Sequence, residues 1–102
     1  MSIVVVATIT PKPEHTDEVA AAFAEIIPQV HAEDGCELYA LHRAGDQLIM
    51  IERWASPEAL DQHSKGAALA ALNPALRGKV TGPAQIVVSH PLPLAGSPAG
   101  SG

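Results

Sequence analysis

The chain alternates between stretches with a strand-like hydrophobic pattern and stretches with a helical one. Four stretches rich in aliphatic and β-branched residues predict strands, at residues 3–10, 36–43, 48–54 and 84–89. Between the first two strands, apolar residues recur with the spacing of one helix face. This apolar stripe comprises Val19, Ala22, Phe23, Ile26, Ile27 and Val30. The pattern therefore predicts an amphipathic helix that packs one side against a sheet.

Two short helices are predicted after the third strand. Ser56 precedes Pro57 and Glu58, a combination of cap, first-turn proline and acidic residue that is typical of a helix start. Gly66 permits a break after this helix, and residues 67–72 predict a second helical piece that Asn73-Pro74 should end, leaving residues 75–83 as a loop. The order strand, helix, strand, strand, helix, strand predicts an α+β, ferredoxin-like split βαβ domain, with a four-stranded antiparallel sheet and helices on one face.

The second and third strands predict a β-hairpin around a two-residue turn at Gly45-Asp46. Side chains alternate across a strand, so each face of the hairpin receives every second residue. One predicted face carries Tyr39, Leu41, Arg43, Leu48, Met50, Glu52 and Trp54. The other carries Cys36, Leu38, Ala40, His42, Ile49, Ile51 and Arg53. Both faces are apolar in the middle, which indicates that both are covered.

The same two-sided apolar character extends to the other strands. Residues 4–6, 48–51 and 86–88 are aliphatic on both sides, whereas an antiparallel sheet with one solvent-facing side should alternate apolar and polar residues. The predicted helices cover only one face. We therefore expect a second copy of the chain to cover the other face and form a homodimer.

Composition and charge narrow the function classes. The 102 residues suffice for one domain, which we place at residues 1–90, followed by a Pro/Gly/Ser-rich tail at residues 91–102. The net charge of −5 and the 3% of aromatic residues argue against nucleic-acid binding, which needs a cationic surface and stacking rings. The apolar start is short and soon reaches Pro11, so we expect a strand and no signal peptide or membrane span. The single Cys36 fits a reducing compartment, and we expect a cytoplasmic protein.

Three short motifs together resemble the antibiotic biosynthesis monooxygenase (ABM) family. They are Glu33-x-Gly35-Cys36-x-x-Tyr39, Glu52-x-Trp54 and Glu58-Ala59-Leu60-x-x-His63, and the resemblance extends over about residues 4–88. It implies a dimeric α+β barrel in which two ferredoxin-like sheets pack face to face. It implies less about activity, because some members oxygenate anthrones or quinols without metal or flavin, while others degrade haem, isomerise small sugars or have no known activity.

The resemblance suggests roles for several residues. A cofactor-independent oxygenase needs a base, a donor near the oxyanion and a dry pocket, because its deprotonated substrate reduces dioxygen itself. His63 is the candidate base, since it resembles the family's helix histidine; alternatively it only hydrogen-bonds the end of its helix. Tyr39 is the candidate donor, or else a core residue whose hydroxyl pairs with Glu52. Trp54 is either an aromatic wall of the pocket or a core residue.

Other residues are candidates for binding the substrate. Arg43 and Glu52 share one predicted face and would contact substrate, or form a structural ion pair. Leu72 belongs to a segment of small and aliphatic side chains at residues 67–72, which predicts an apolar pocket between the sheet and the short helices. The histidines are scattered and have no cysteine partner, so no metal, haem or flavin is expected.

Two functions from different classes fit these observations. The first is a cofactor-independent monooxygenase acting on a small phenolic, anthrone or quinol-like substrate. The second is a non-catalytic dimeric binding or accessory protein that holds a small apolar or aromatic ligand, with a small-molecule isomerase as a further alternative. Turnover of anthrones and quinols distinguishes the first from the second.

Overall fold

The computed structural model of the chain describes residues 2–92. Its elements are β1 (Ile3–Ile9), a short 3-10 helix (Pro13–His15), α1 (Thr16–His31), β2 (Cys36–Ala44), β3 (Gln47–Trp54), α2 (Pro57–Ser64), α3 (Ala67–Leu76) and β4 (Gln85–Ser89). Apart from its first two residues, the predicted tail at residues 91–102 lies outside the described part of the chain.

The strands form one antiparallel sheet in the order β2-β3-β1-β4, and the helices pack on one of its faces. Along β1, buried Ile3, Val5, Ala7 and Ile9 alternate with half-buried residues that point to the other face. The core lies between the buried face and α1, whose Val19, Phe23, Ile26 and Val30 are buried as the helical spacing predicts. The predicted ferredoxin-like architecture is therefore confirmed.

The β2–β3 hairpin has the predicted turn and pairing. Arg43 lies opposite Leu48 and Tyr39 opposite Glu52, and Gly45 adopts a positive φ of 59° that favours glycine in the turn. The predicted face of Cys36 is wrong, because a bulge between residues 36 and 38 shifts the register and pairs Cys36 with Trp54. Cys36 therefore packs against the helix-covered core.

Both helices after β3 begin as predicted, but α3 ends later than predicted. The Ser56 side chain accepts a hydrogen bond from the Ala59 amide at 3.1 Å, which caps the start of α2. The predicted end of α3 at Asn73-Pro74 is wrong, since the helix continues to Leu76 with Pro74 inside it. Ala70 and Pro74 are both exposed, so solvent can reach the carbonyl that the proline leaves without an amide donor. None of the helices in residues 2–92 is long and apolar enough to cross a membrane.

Strand β4 is left uncovered on both sides in the single chain. Ile86 and Val88 lie on the helix side and are 63% and 54% exposed, while Val87 lies on the opposite side and is 62% exposed. No other large apolar side chains in β-strands are so exposed, among the described residues. The uncovered helix side of β4 borders the cavity described next.

Candidate active site

A cavity of about 710 Å³ lies between the sheet and the helices α2 and α3, where the small and aliphatic residues of α3 predict a pocket. Its walls are mostly apolar. They include Val5, Met50 and Ile86 from the sheet, Phe23 from α1, and Leu60, Leu69, Leu72 and Leu76 from α2 and α3. Its volume and apolar lining fall within the range of small-ligand sites.

Three polar side chains interrupt the apolar lining at the buried end of the cavity. Tyr39 comes from β2, Glu52 from β3 and His63 from α2, and each is at most 6% exposed. Tyr39 and Glu52 lie directly opposite each other in the hairpin, and His63 lies above them on the last turn of its helix. The fold thus brings together three of the residues that the sequence singled out.

Glu33 completes this group from outside the sheet. Its Oε1 atom lies 2.7 Å from Nδ1 of His63, although the two residues are 30 positions apart. A carboxylate only accepts hydrogen bonds, so Nδ1 carries the proton and donates it, and neutral imidazole then has its lone pair on Nε2. Nε2 lies 3.9 Å from Oε1 of Glu52, which is too long for a hydrogen bond. His63 is therefore oriented with a free acceptor at the cavity.

Gly35 makes the contact between Glu33 and His63 possible. Its φ of 78° turns the chain from α1 into β2, and a Cβ atom at this position would lie 2.6 Å from the Cβ atom of Ala59. Ala59 is one helical turn before His63, so any larger residue at Gly35 would push α2 away from the loop that carries Glu33. The Gly35 carbonyl also accepts a hydrogen bond of 2.8 Å from Ala55, just before α2.

Aromatic rings hold the imidazole in place. The ring centroids of Trp54 and His63 are 4.5 Å apart with the planes tilted by 30°, and Tyr39 meets His63 edge-on at 5.3 Å. The indole of Trp54 donates its Nε1 hydrogen to Glu52 Oε1 at 2.9 Å. Trp54 is fully buried and does not line the cavity. It supports His63 and Glu52 and forms no wall against a ligand.

Burial shifts the proton equilibria at this end of the cavity. It raises the pKa of Glu52, although the Trp54 hydrogen bond and the neighbouring His63 oppose the shift. It also raises the pKa of the Tyr39 hydroxyl, and the nearby Glu52 adds to this effect. Tyr39 is therefore a neutral phenol that can donate a hydrogen bond. Burial likewise raises the pKa of the Cys36 thiol, which keeps it protonated.

The structure shows the contacts of the side chains for which the sequence left alternatives open. His63 pairs with Glu33 through Nδ1, so its side chain does more than end its helix. Tyr39 does not pair with Glu52: its hydroxyl makes no hydrogen bond within residues 2–92, while no fully buried side-chain nitrogen or oxygen there lacks a partner. The hydroxyl therefore reaches accessible space, and Tyr39 lines the cavity.

Arg43 is not brought to the cavity. It lies at the turn end of the hairpin, where its Nη1 atom contacts Asp17 Oδ1 at 2.9 Å and its Nε atom contacts the Gly45 carbonyl at 3.2 Å. Both side chains of this ion pair are more than half exposed. Sequence reasoning gave no role to Glu33, and its presence in a family motif was the one available signal.

No group of three or more His, Cys, Asp or Glu side chains in residues 2–92 is arranged to hold a metal ion. Glu33, His63 and Glu52 are close, but His63 directs Nδ1 to one carboxylate and lies beyond hydrogen-bond distance of the other. The arrangement resembles the base-and-orienting-carboxylate pairs of acid–base catalysis.

Comparisons with known proteins agree with this fold. Rv0793 of Mycobacterium tuberculosis is 35% identical over 63 residues, which span 60% of this chain and 62% of Rv0793, less than two thirds of its length. Its solved structure matches with a TM-score of 0.85 over 93% of this chain and 99% of that one, at 29% identity. A conserved protein from Methanosarcina mazei Go1 matches with a TM-score of 0.82 over 88% and 92% of the chains, at 26% identity.

A second curated relative matches over a longer stretch. The Escherichia coli K12 protein named "Probable quinol monooxygenase YgiN" is 32% identical over 91 residues, covering 76% of this chain and 88% of YgiN. The sequence model of the antibiotic biosynthesis monooxygenase family matches residues 2–75. With this match over most of the chain, the three motifs and the shared fold, the protein belongs to the antibiotic biosynthesis monooxygenase family.

Proposed function

We propose that this protein is a cofactor-independent monooxygenase that acts on a small phenolic, anthrone or quinol-like substrate. Family membership and the similarity to YgiN support the reaction class. The observation that carries the proposal is the Glu33–His63 pair, which presents a free imidazole nitrogen to an apolar cavity. Such a pair is suited to taking a proton from a hydroxyl or an activated ring carbon of an aromatic substrate.

His63 is the general base in this proposal, and Glu33 is a positioning residue. Nε2 takes the proton from the substrate, and the imidazolium that results is stabilised by the Glu33 carboxylate at Nδ1. The deprotonated substrate supplies the electrons that reduce dioxygen. For an anthrone, one atom of dioxygen becomes a carbonyl oxygen on the reacting ring carbon, and the other atom is released as water. The substrate supplies all the electrons, so no other reductant is consumed.

Tyr39 and Glu52 bind the substrate oxygen that becomes negatively charged. Tyr39 stays neutral and offers its O–H, and Glu52 with its raised pKa offers an O–H whenever it is protonated. Leu72 and the other aliphatic residues exclude water from the anion, which strengthens these hydrogen bonds. The proposed reaction needs a general base, hydrogen-bond donors for the anion and an apolar lining that excludes water, and the cavity has residues suited to each.

Substitution of His63 tests this proposal. His63→Ala should lower the rate of dioxygen uptake on an anthrone or quinol by about 10²- to 10⁴-fold, since a general base is lost. His15→Ala is the matched control, because His15 does not line the cavity and its imidazole contacts only the exposed Glu18 in the first turn of α1. Assays should contain a chelator and no added flavin.

Two results would contradict the proposal. If His63→Ala oxidises the substrate at the parent rate and remains folded, His63 is not the base. If the parent protein binds anthrones and quinols but consumes no dioxygen with any of them, the protein is a binding protein of the same fold. Circular dichroism of each variant separates loss of chemistry from loss of fold.

We further propose that the protein functions as a homodimer joined through the open face of the sheet. On this face Leu38 and Val87 are 43% and 62% exposed, and Val4, Val6, Ile49 and Ile51 are only half-buried in the single chain. An interface of the obligate class would bury roughly 2,000 Å² or more, and a second copy of the same face is its simplest partner.

A charge on the open face tests the dimer. Val87→Asp should give a folded monomer or an unfolded chain, because the new carboxylate would be buried without a partner in the interface. Ala24→Asp on the exposed side of α1 is the control and should leave the mass unchanged. Light scattering that finds the parent protein monomeric at micromolar concentration would overturn the assembly without affecting the test of His63.

A further inference from the structure

Most of the Lys and Arg side chains of the protein form ion pairs with acidic neighbours. Of the six Lys and Arg residues, four form ion pairs. These pairs are Arg43–Asp17, Arg53–Glu37, Lys65–Asp61 and Lys79–Glu18. Lys12 and Arg77 form none with the described residues, and the remaining positions, Met1 and residues 93–102, contain no Asp or Glu. Of these two cations, only Arg77 lines the cavity.

Arg77 lies where the cavity meets solvent. It directly follows α3, whose Leu69, Leu72 and Leu76 contribute apolar walls, and its own side chain is exposed. A guanidinium group presents a planar set of donors that matches a carboxylate, and it stays charged at any relevant pH. An exposed, unpaired arginine on the rim of an apolar cavity is thus available to a ligand.

The charges around the cavity are separated along its depth. At its buried end the Glu33 carboxylate lies just behind His63 and would repel a ligand carboxylate, and Glu52 offers no positive charge to offset this repulsion. At the exposed end Asp61 also borders the cavity, but Lys65 contacts it at 3.0 Å and offsets its charge. A ligand with one acidic and one neutral polar end would therefore enter with the acidic end outward.

We infer that Arg77 binds an anionic substituent of the ligand, so that the preferred ligand is a hydroxylated aromatic molecule carrying a carboxylate away from its reacting hydroxyl. This inference rests on the proposed function, because the proposed reaction requires the ligand hydroxyl to face His63. The apolar walls hold the ring, the hydroxyl meets His63 and Tyr39, and the carboxylate remains at the rim beside Arg77. Arg77 is accordingly a specificity-determining residue and takes no part in proton transfer.

A purely structural role for Arg77 makes a different prediction. A cation at the end of a helix interacts favourably with the helix dipole, and that effect concerns stability alone. Removing the charge would then lower the melting temperature slightly and leave ligand preference unchanged. Ligand preference is therefore the decisive measurement.

Calorimetric titration without oxygen, using hydroquinone and its carboxylated form gentisate, tests the inference. The parent protein should bind gentisate more tightly than hydroquinone, and Arg77→Gln should weaken gentisate binding by about 2- to 5-fold, the range of an exposed ion pair. Hydroquinone binding should not change. Arg77→Lys should retain part of the preference, and raised salt should reduce it. Arg43→Gln is the control, since Arg43 does not line the cavity.

Two outcomes would overturn the inference. One is equal loss of affinity for gentisate in Arg77→Gln and Arg43→Gln, or no loss in either. The other is tighter binding of a dihydroxyphenyl amine than of gentisate, which would show that the acidic end of the cavity selects the ligand. Because these titrations measure binding alone, they stand apart from the dioxygen-uptake assay. A protein that fails that assay but prefers gentisate retains the Arg77 site.

Discussion

The two ends of the β2–β3 hairpin each carry a charged residue on the same face, but one residue is buried and the other is exposed. At the end near Trp54, the carboxyl of Glu52 is buried and lies beside Tyr39 and His63. At the turn end, Arg43 is exposed and pairs with Asp17. Glu52 and Arg43 point to the same face of the hairpin, so alternation along the strand does not distinguish them.

The difference comes from what covers each end. Helix α2 starts shortly after β3 and covers the end of the hairpin near Trp54. The absence of a side chain at Gly35 allows Ala59 of α2 to pack closely there. At the turn end Arg43, Gly45 and Asp46 are all exposed. A charge on this face therefore becomes part of a reactive site only where the short helix excludes water.

Trp54→Ala should cause the largest loss of stability at the covered end. The side chain is fully buried against His63 and donates to Glu52, so truncation leaves both a void and an acceptor without its donor. Chemical denaturation should show the free energy of unfolding reduced by about 3–5 kcal/mol. Trp54→Phe keeps most of the packing and should cost clearly less; equal losses would mean that the hydrogen bond dominates.

Glu33→Ala should cause the next largest effect, on turnover. Loss of the orienting carboxylate should lower kcat by about 10- to 100-fold with little change in KM, because His63 would no longer hold one tautomer. Nitrogen NMR of the imidazole should show the proton on Nδ1 in the parent and a mixture in the variant. Asp34→Ala, the exposed neighbouring acid, is the control. An unchanged tautomer in Glu33→Ala would rule out the positioning role.

Glu52→Gln should change the dependence of stability on pH. Burial raises the pKa of Glu52 above its ordinary value of 4.5, so the folded state favours the protonated form. The contribution of Glu52 to stability is therefore fully present below pH 4.5 and is lost as the pH rises through the raised pKa. Gln resembles the protonated acid and can still accept from Trp54, so the variant should melt at a higher temperature at neutral pH.

The advantage of Glu52→Gln should shrink as the pH falls toward 4.5. Thermal melts of both proteins across this range provide the measurement. A variant that is less stable than the parent at neutral pH would show that the ionised carboxylate is favoured in the fold, in contrast to the burial argument.

Arg43→Ala, at the uncovered end of the hairpin, should have the smallest effect on stability and turnover. Its ion pair with Asp17 is exposed, so the free energy of unfolding should change by no more than about 0.5 kcal/mol. Turnover should equal that of the parent, since Arg43 does not line the cavity. A marked rise in KM would place Arg43 in substrate binding and remove the contrast between the two ends.

Local patterns in the sequence predicted most of the fold. The order of strands and helices along the chain, the amphipathic α1, the turn at Gly45-Asp46 and the cap at Ser56 depend on residues close together in the chain, where spacing and turn chemistry act directly. Two predictions were wrong, because neither a β-bulge nor a helix that continues through a proline can be recognised from the hydrophobic pattern alone. The bulge after Cys36 moved that side chain to the other face, and α3 continued through Pro74.

Residue type and motif were enough to single out His63, Tyr39 and Glu52 as residues that could carry the chemistry. Which side chains come into contact depends on how distant elements pack. Glu33 reaches His63 across 30 positions because Gly35 lets α2 approach closely, and this contact depends on packing between elements that no periodicity encodes. The same packing buries Trp54 behind His63 and leaves Arg43 exposed to solvent. It also places Arg77 at the mouth of the cavity.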